Sequence, residues 1–347
     1  MNPYHFVPLG PPGQRRKVKT HESFEGESGS LTCQLTTRTH LFTAAPHSER
    51  GGGHQNLKCV RGKDGKPLIP GSSLKGVVRS VAEALSGACL TLPAKLDYGK
   101  GVSYKLPTGF ERCDPKERLC PACRIFGGMN RGSTFLGKIN IGDALAEGEV
   151  AIERLTLESL MQPKPRHRVW YGASPQQPNV MRGRKFYYHR PGGARTTTQG
   201  RHNKTVEAVK PRTDFAFSVD YTNLEDDELA LLIFALVLEP EMCHKIGMGK
   251  PVGLGSARIE VTQWEQHNLQ ARYEHLGKGT RVLQADALTD EIKRWTNRYG
   301  ELYTKWKDSL DHLRRIWRWD PNATADIKYP TQQWFSQNRR AAIEEAP

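Results

Sequence analysis

The sequence predicts an α+β fold. Three observations carry that prediction: apolar runs short enough for strands, two segments with helical apolar spacing set among them, and a glycine loop joining the second helix to a last strand. In order, SLTCQLTTRTHLF (30–42) alternates well enough for a half-buried strand. A glycine-rich loop, AAPHSERGGGHQNL, covers 44–57. Pro67-Leu68-Ile69-Pro70 then leads into GSSLKGVVRSVAEALSG, where Leu74, Val77, Val78, Val81 and Leu85 share one helical face. Ser72 or Ser73 is the expected N-cap and Gly87 the stop. Shorter apolar runs follow at 135–144, 149–157 and 214–224. The helix DDELALLIFALVL (226–238), with Asn223 as its expected cap, ends in the loop GMGKPVGLG (247–255) before the strand SARIEV.

Strand, helix, strands, helix, glycine loop, strand is the split βαβ order of ferredoxin-like domains, here interrupted by two insertions. The C-terminal part differs. Ile292, Trp295, Tyr299, Leu302, Trp306, Leu310, Leu313 and Ile316 recur every three or four positions, predicting one long amphipathic helix over 289–317. Thr289 would cap it, and its tryptophan face is read as core rather than as a partner surface.

Charge narrows the function. The 347 residues carry 51 Lys+Arg against 37 Asp+Glu, a formal +14. From 162 to 213, twelve of these cations face the single Glu207, interleaved with Trp170, Tyr171, Phe186, Tyr187, Tyr188 and His189. No helical or strand period is sustained there, so the segment reads as a long excursion from a compact domain. Cations suit backbone phosphates and rings suit unstacked bases, so single-stranded nucleic acid is the partner this composition favours. No run of about 18 apolar residues spans a membrane, and the N-terminus lacks the apolar core of a signal peptide. An intracellular location is therefore expected, and the Asn-x-Ser/Thr matches at Asn203 and Asn322 are read as chance.

Three constellations can carry chemistry. In Cys113-x6-Cys120-Pro-Ala-Cys123, the C-x2-C knuckle suits one face of a tetrahedral zinc and Cys113 a third thiolate. Cys89 is the expected fourth ligand, with Cys59, His47 and His54 as alternatives; a redox C-x-x-C lacks the βαβ setting it needs. The zinc would be structural, folding a loop with little core of its own. At the helix opening, Lys75 lies in the first turn and Arg79 four residues later. Both positions are electrostatically unfavourable unless an anion such as phosphate occupies the helix N-terminus beside Ser72 and Ser73. Last, Gly247, Gly249, Gly253 and Gly255 with Lys245 and Lys250 would let backbone approach a phosphate chain, and a plain turn would not require four glycines. The loop is neither a Walker A nor a Rossmann fingerprint.

The motifs IPGSSLKGVVRS, LCPACRIFG and GMGKPVGLGS, in this order, resemble the RAMP superfamily of CRISPR-associated proteins. NPYHFVPL near the N-terminus and IKYPTQQWF near the C-terminus resemble one subgroup of it. The resemblance implies an RRM-like subunit of a type III effector complex in the prokaryotic cytoplasm. Such a subunit holds crRNA and target RNA beside other CRISPR-Cas effector subunits, in antiviral defence. It implies guide contacts at Ser72, Ser73, Lys75, Arg79, Lys245, Lys250 and the loop glycines. The basic insertion, with Arg182, Arg184, Lys185 and Tyr187, or the zinc-bearing 89–128 region, would act as the thumb-like hairpin. The implied organisation is an N-terminal arm (1–29), a core (30–263) with insertions at 89–128 and 162–213, and a helical extension (264–347). Some relatives cleave target RNA with an aspartate in the loop after the first strand. Here that loop holds none, leaving Glu49 with His47 and His54 as a substitute set that would need a divalent metal such as Mg. A binding role is therefore the first expectation and a metal-dependent endoribonuclease the second, separated by whether Glu49→Ala removes one cleavage position. A third, a zinc protein that binds DNA, predicts competition by duplex DNA.

Overall fold

A computed structural model describes residues 1–19, 22–46, 53–91, 95–97, 103–130, 132–160, 168–174, 176–193, 195–275 and 279–347. Its core is an antiparallel sheet running, edge to edge, His244–Lys245, Ser256–His267, Glu27–Thr37, Asp214–Leu224, Ala144–Ala146 and Leu68–Ile69. Thr280–Leu283 pairs with the far end of Ser256–His267 and Ile139–Ile141 with Asp214–Leu224, and all these pairings are antiparallel. Strand alternation places Leu31, Cys33 and Leu35, Phe215, Phe217, Val219 and Tyr221, and Ile259, Val261 and Trp264 in the interior. The helices Gly71–Ala84 and Asp226–Val237 pack on each other and on this sheet.

The first strand begins at Glu27 and stops at Thr37, short of the predicted Phe42. The chain turns there because Arg38 N–H donates to Ser256 O and Thr37 N–H to Thr213 O. The cap expectations are also corrected. Gly71–Ala84 starts ahead of both serines: Ser72 and Ser73 lie within it, and Asp143 Oδ1 accepts the Gly71 N–H at 2.7 Å. Asp226–Val237 is capped by Glu225 in a reciprocal box with Glu228. Asn223 instead takes a left-handed conformation, and its Oδ1 accepts the N–H groups of Glu25 and Gly26.

Asp226–Val237 is buried nearly all round because a third helix, Ala285–Leu302, covers its other side, with Tyr299 stacked on Phe234 at 4.1 Å. The predicted 289–317 helix is in fact two, Ala285–Leu302 and Lys307–Trp317, joined by a 3-10 turn at Thr304–Trp306. The break turns Tyr303 and Trp306 inward, where their polar ends donate to Asp227 O and Pro11 O. Trp295, Tyr299, Leu313 and Ile316 are buried, so the tryptophan face is core as expected.

The basic segment is more ordered than its sequence suggests. Gly183–Tyr187 pairs with the N-terminal strand Tyr4–Pro8, and Lys204–Val209 lies between Ile152–Thr156 and Gln55–Leu57 in a separate sheet. Gln177–Met181 joins Ser103–Lys105, so the two insertions share backbone pairing. Its aromatics do not point outward. Trp170, Tyr171 and Tyr187 pack with Tyr4, Phe6, Tyr329, Trp334 and Phe335, the N-terminal and C-terminal segments of the chain supplying the other half of a small core.

Candidate metal centre and nucleic-acid interface

The short helix Pro121–Phe126 opens at Cys120, with Pro121 pre-set for its first position, and this projects Cys120 and Cys123 to one side. Cys89 arrives from the turn after Gly71–Ala84, and Cys113 from the loop before Cys120. All four sulfurs lie within 4.8 Å of one another, and all four residues are buried. This is the predicted ligand set. Of the alternatives, Cys59 sits in a separate apolar cluster, 3.9 Å from Glu207 Oε2, and His54 bonds Thr205 Oγ1 and Gly200 O. His47 lies outside the described residues, as does Glu49.

The donor set is that of a closed tetrathiolate site, and such a cluster could hold a metal such as zinc. Backbone donors already serve two sulfurs: Cys120 N–H reaches Cys113 Sγ at 3.2 Å and Cys89 N–H reaches Cys120 Sγ at 3.5 Å. Arg79 Nη2 lies 3.7 Å from Cys123 Sγ. Four thiols this close cannot all ionise by themselves. Hydrogen bonds from Cys113 and from Cys120 respectively push Cys89 and Cys113 down, while those from Cys113 push Cys120 and Cys123 up. A cavity of about 290 Å³ lies against Cys89, Cys113 and Cys123, with Arg79 and Arg112 in its wall.

The helix opening and the glycine loop meet across Phe42 and Thr43. Met248 N–H donates to Phe42 O at 2.8 Å, and Thr43 Oγ1 donates to Leu68 O at 3.1 Å, two residues before Pro70. All four loop glycines adopt left-handed φ, and Lys250 opens a 3-10 turn between them. The expectation that a plain turn would not need them is overturned. A Cβ at Gly253 would lie 2.6 Å from Arg190 O, and one at Gly255 would overlap Ile246 O. Self-packing alone therefore accounts for these glycines.

Several cations expected at the surface are interior anchors. Lys245 is 2 % exposed; its Nζ donates to Leu254 O, and burial, aided by Lys250, pulls its pKa down to about 7. Lys185 lies over the Tyr4 and Tyr187 rings, at 3.7 and 4.8 Å, and burial lowers it to about 8. Arg182 pairs with Glu344, and Arg184 with Glu83. Lys75 is half-buried with Nζ on Ile139 O, and Arg79 divides its guanidinium among Glu83, Gly127 O and Cys123. Of the predicted helix residues, Ser72 is exposed and Ser73 partly so.

Exposed cations that sequence reasoning did not assign to a site lie on the same side as the glycine loop. Leu41 pairs with Val209 and Gly253 abuts Arg190, so the second half of the basic segment packs beside the loop. Lys58, Arg154, Lys204, Lys210 and Arg212 are exposed on that small sheet and its connections. Behind the loop, His40 Nε2 bonds Glu153 Oε2 at 2.9 Å and Arg195 donates to Glu153 at 2.9 Å. Burial lowers the His40 pKa, consistent with a neutral ring whose Nδ1 accepts from Arg195. A second missed set is buried: Arg124 meets Glu225, Asp227 and Glu228, and Lys138 meets Glu228 at 2.9 Å. No periodicity marks either set.

The sequence model of the RAMP superfamily matches residues 34–258, which include the helix opening, all four clustered cysteines and the glycine loop. No curated protein matches the chain.

Proposed function

Because the chain belongs to the RAMP superfamily, we propose that it is a crRNA-binding backbone subunit of a type III CRISPR ribonucleoprotein, working beside other effector subunits on guide and target RNA. The observation that carries this reading is the convergence of glycine loop and helix opening on Phe42–Thr43, with the exposed cations of the small sheet alongside. The four-strand order 256–267, 27–37, 214–224, 144–146, with Gly71–Ala84 in one crossover and Asp226–Val237 in the other, fits a ferredoxin-like, RRM-like core. On this reading the core spans 30–263, with insertions at 89–128 and 162–213 and the helical extension 264–347 packed on it.

In this role the protein holds backbone and leaves sequence to base pairing. Lys58, Arg154, Lys204, Lys210 and Arg212 neutralise phosphates. Ser72, and the backbone around Gly247 and Met248, which is half-exposed, offer polar groups at the helix opening and the loop. Cys89, Cys113, Cys120 and Cys123 hold a structural zinc, whose contribution is to fix the 89–128 insertion against the first helix. No described helix is long and apolar enough to cross a membrane.

The test is charge reversal on the exposed face. A Lys58→Glu, Lys204→Glu, Arg212→Glu triple variant is expected to lose more than tenfold in affinity for single-stranded RNA. Its slope of log K against log salt should flatten by about one per phosphate contact removed, while its thermal midpoint stays within a few degrees of the parent. Unchanged RNA affinity in the folded variant would place the groove elsewhere.

A further inference from the structure

Arg79 joins the first helix to the cysteine cluster. Its Nε donates to Glu83 Oε1 at 2.8 Å, its Nη1 to Gly127 O at 3.1 Å, and its Nη2 faces Cys123 Sγ at 3.7 Å. Glu83 is itself shared: its Oε2 accepts Arg184 Nη1 at 2.7 Å. Arg184 Nη2 in turn donates to Ala88 O and Cys89 O, both at 2.8 Å. One carboxylate thus holds two guanidiniums, one against the sulfur of Cys123 and the other against the backbone of Cys89. All three side chains are largely enclosed, at 25 %, 12 % and 14 % exposure.

We propose that Arg79 is a positioning residue of the metal centre, held in place by Glu83 and Arg184, and not a phosphate contact. This inference rests on the zinc reading above. Four thiolates around a divalent ion leave a net double negative charge on four buried residues, which is costly without a nearby cation or N–H donor. The backbone already supplies donors to Cys113 and Cys120. Arg79 supplies one to Cys123 and brings the positive charge that the backbone cannot. The same arrangement disfavours RNA there: a phosphate at Arg79 would stand beside the thiolates and compete for a guanidinium already divided among three acceptors. Outer donors of this kind typically alter metal retention by 10–100-fold when removed.

Arg184 lies on the strand Gly183–Tyr187, which pairs with Tyr4–Pro8. The relay therefore also joins the centre to the N-terminal strand and the aromatic core beside it.

The experiment uses the full chain loaded with Co(II), whose sulfur-to-metal charge-transfer band reports thiolate ligation. Arg79→Met should release Co(II) to a chromogenic chelator 10–100-fold faster than the parent and shift the charge-transfer band. Arg79→Lys should recover part of the loss. The salt slope of RNA binding should stay unchanged in the loaded Arg79→Met protein. Parent-like release together with a slope reduced by about one would overturn the proposal in favour of a phosphate contact. If Arg79→Met fails to fold, Glu83→Gln, which frees the guanidinium from its anchor, should show the same faster release, and parent-like release in that variant overturns the proposal. A parent chain with no thiolate charge-transfer band would sink the zinc reading itself. A normal band with unaltered release in both variants would sink only the role given to Arg79.

Discussion

Four thiols within 4.8 Å of one another are stable as a group only if protons or a cation keep their charges apart. Metal analysis of the parent should find about one zinc per chain, and a Cys120→Ser, Cys123→Ser double variant should lose it and aggregate. A variant that keeps its metal would exclude these ligands. Lys245 makes a second residue-level prediction. Burial drops its pKa from 10.5 to about 7, so the folded state carries the penalty of a buried charge in full below pH 7. Between pH 7 and 10.5 the unfolded chain binds more protons than the folded one, so stability rises with pH, by up to about 1.4 kcal/mol per unit from this group. Urea melts at pH 7, 8 and 9 should show the parent gaining on Lys245→Met across this range; parallel curves would contradict the assignment. Cys113, Cys120 and Cys123 of the cluster were legible in the sequence because their spacing is local and the C-x2-C geometry is strict, whereas Cys89 joins them from the turn after the first helix. The fate of Lys245, Lys185 and Arg79 was not, since a cation reads alike whether it faces phosphate or a buried carbonyl.

At the scale of the elements, glycines separate packing from permissiveness. Gly255 has φ near +81 and no room for a Cβ, so Gly255→Ala should destabilise by about 1–3 kcal/mol or more. Gly76 lies mid-helix, and a Cβ there would meet nothing within 4 Å, so Gly76→Ala should gain roughly 0.5–1 kcal/mol. Denaturant melts of the two variants check both signs. Apolar periodicity located Gly71–Ala84, whose buried face repeats at helical spacing, while Asp226–Val237 was legible as a continuous apolar run behind an acidic start. It missed the break in 289–317, since Tyr303 and Trp306 keep the spacing while their polar ends seek acceptors on other segments. It also missed the strands of 162–213, which are held by partners as distant as Tyr4–Pro8 and Gln55–Leu57. Pairing of that kind leaves no local signature.

Across the whole molecule, the chain closes on itself. Tyr4, Trp170 and Trp334 meet in one aromatic cluster, and the Ala285–Leu302 helix seals the second core helix. Lys58, Arg154, Lys204, Lys210 and Arg212 put exposed positive charge on the small sheet beside the glycine loop, the face to which the proposed RNA binding is assigned. The most direct measurement is a titration of the purified chain against labelled single-stranded RNA, single-stranded DNA and duplex DNA at several salt concentrations. The account predicts tightest binding to single-stranded RNA, with affinity falling steeply as salt rises and no dependence on RNA sequence. Preference for duplex DNA, or binding indifferent to salt, would contradict it.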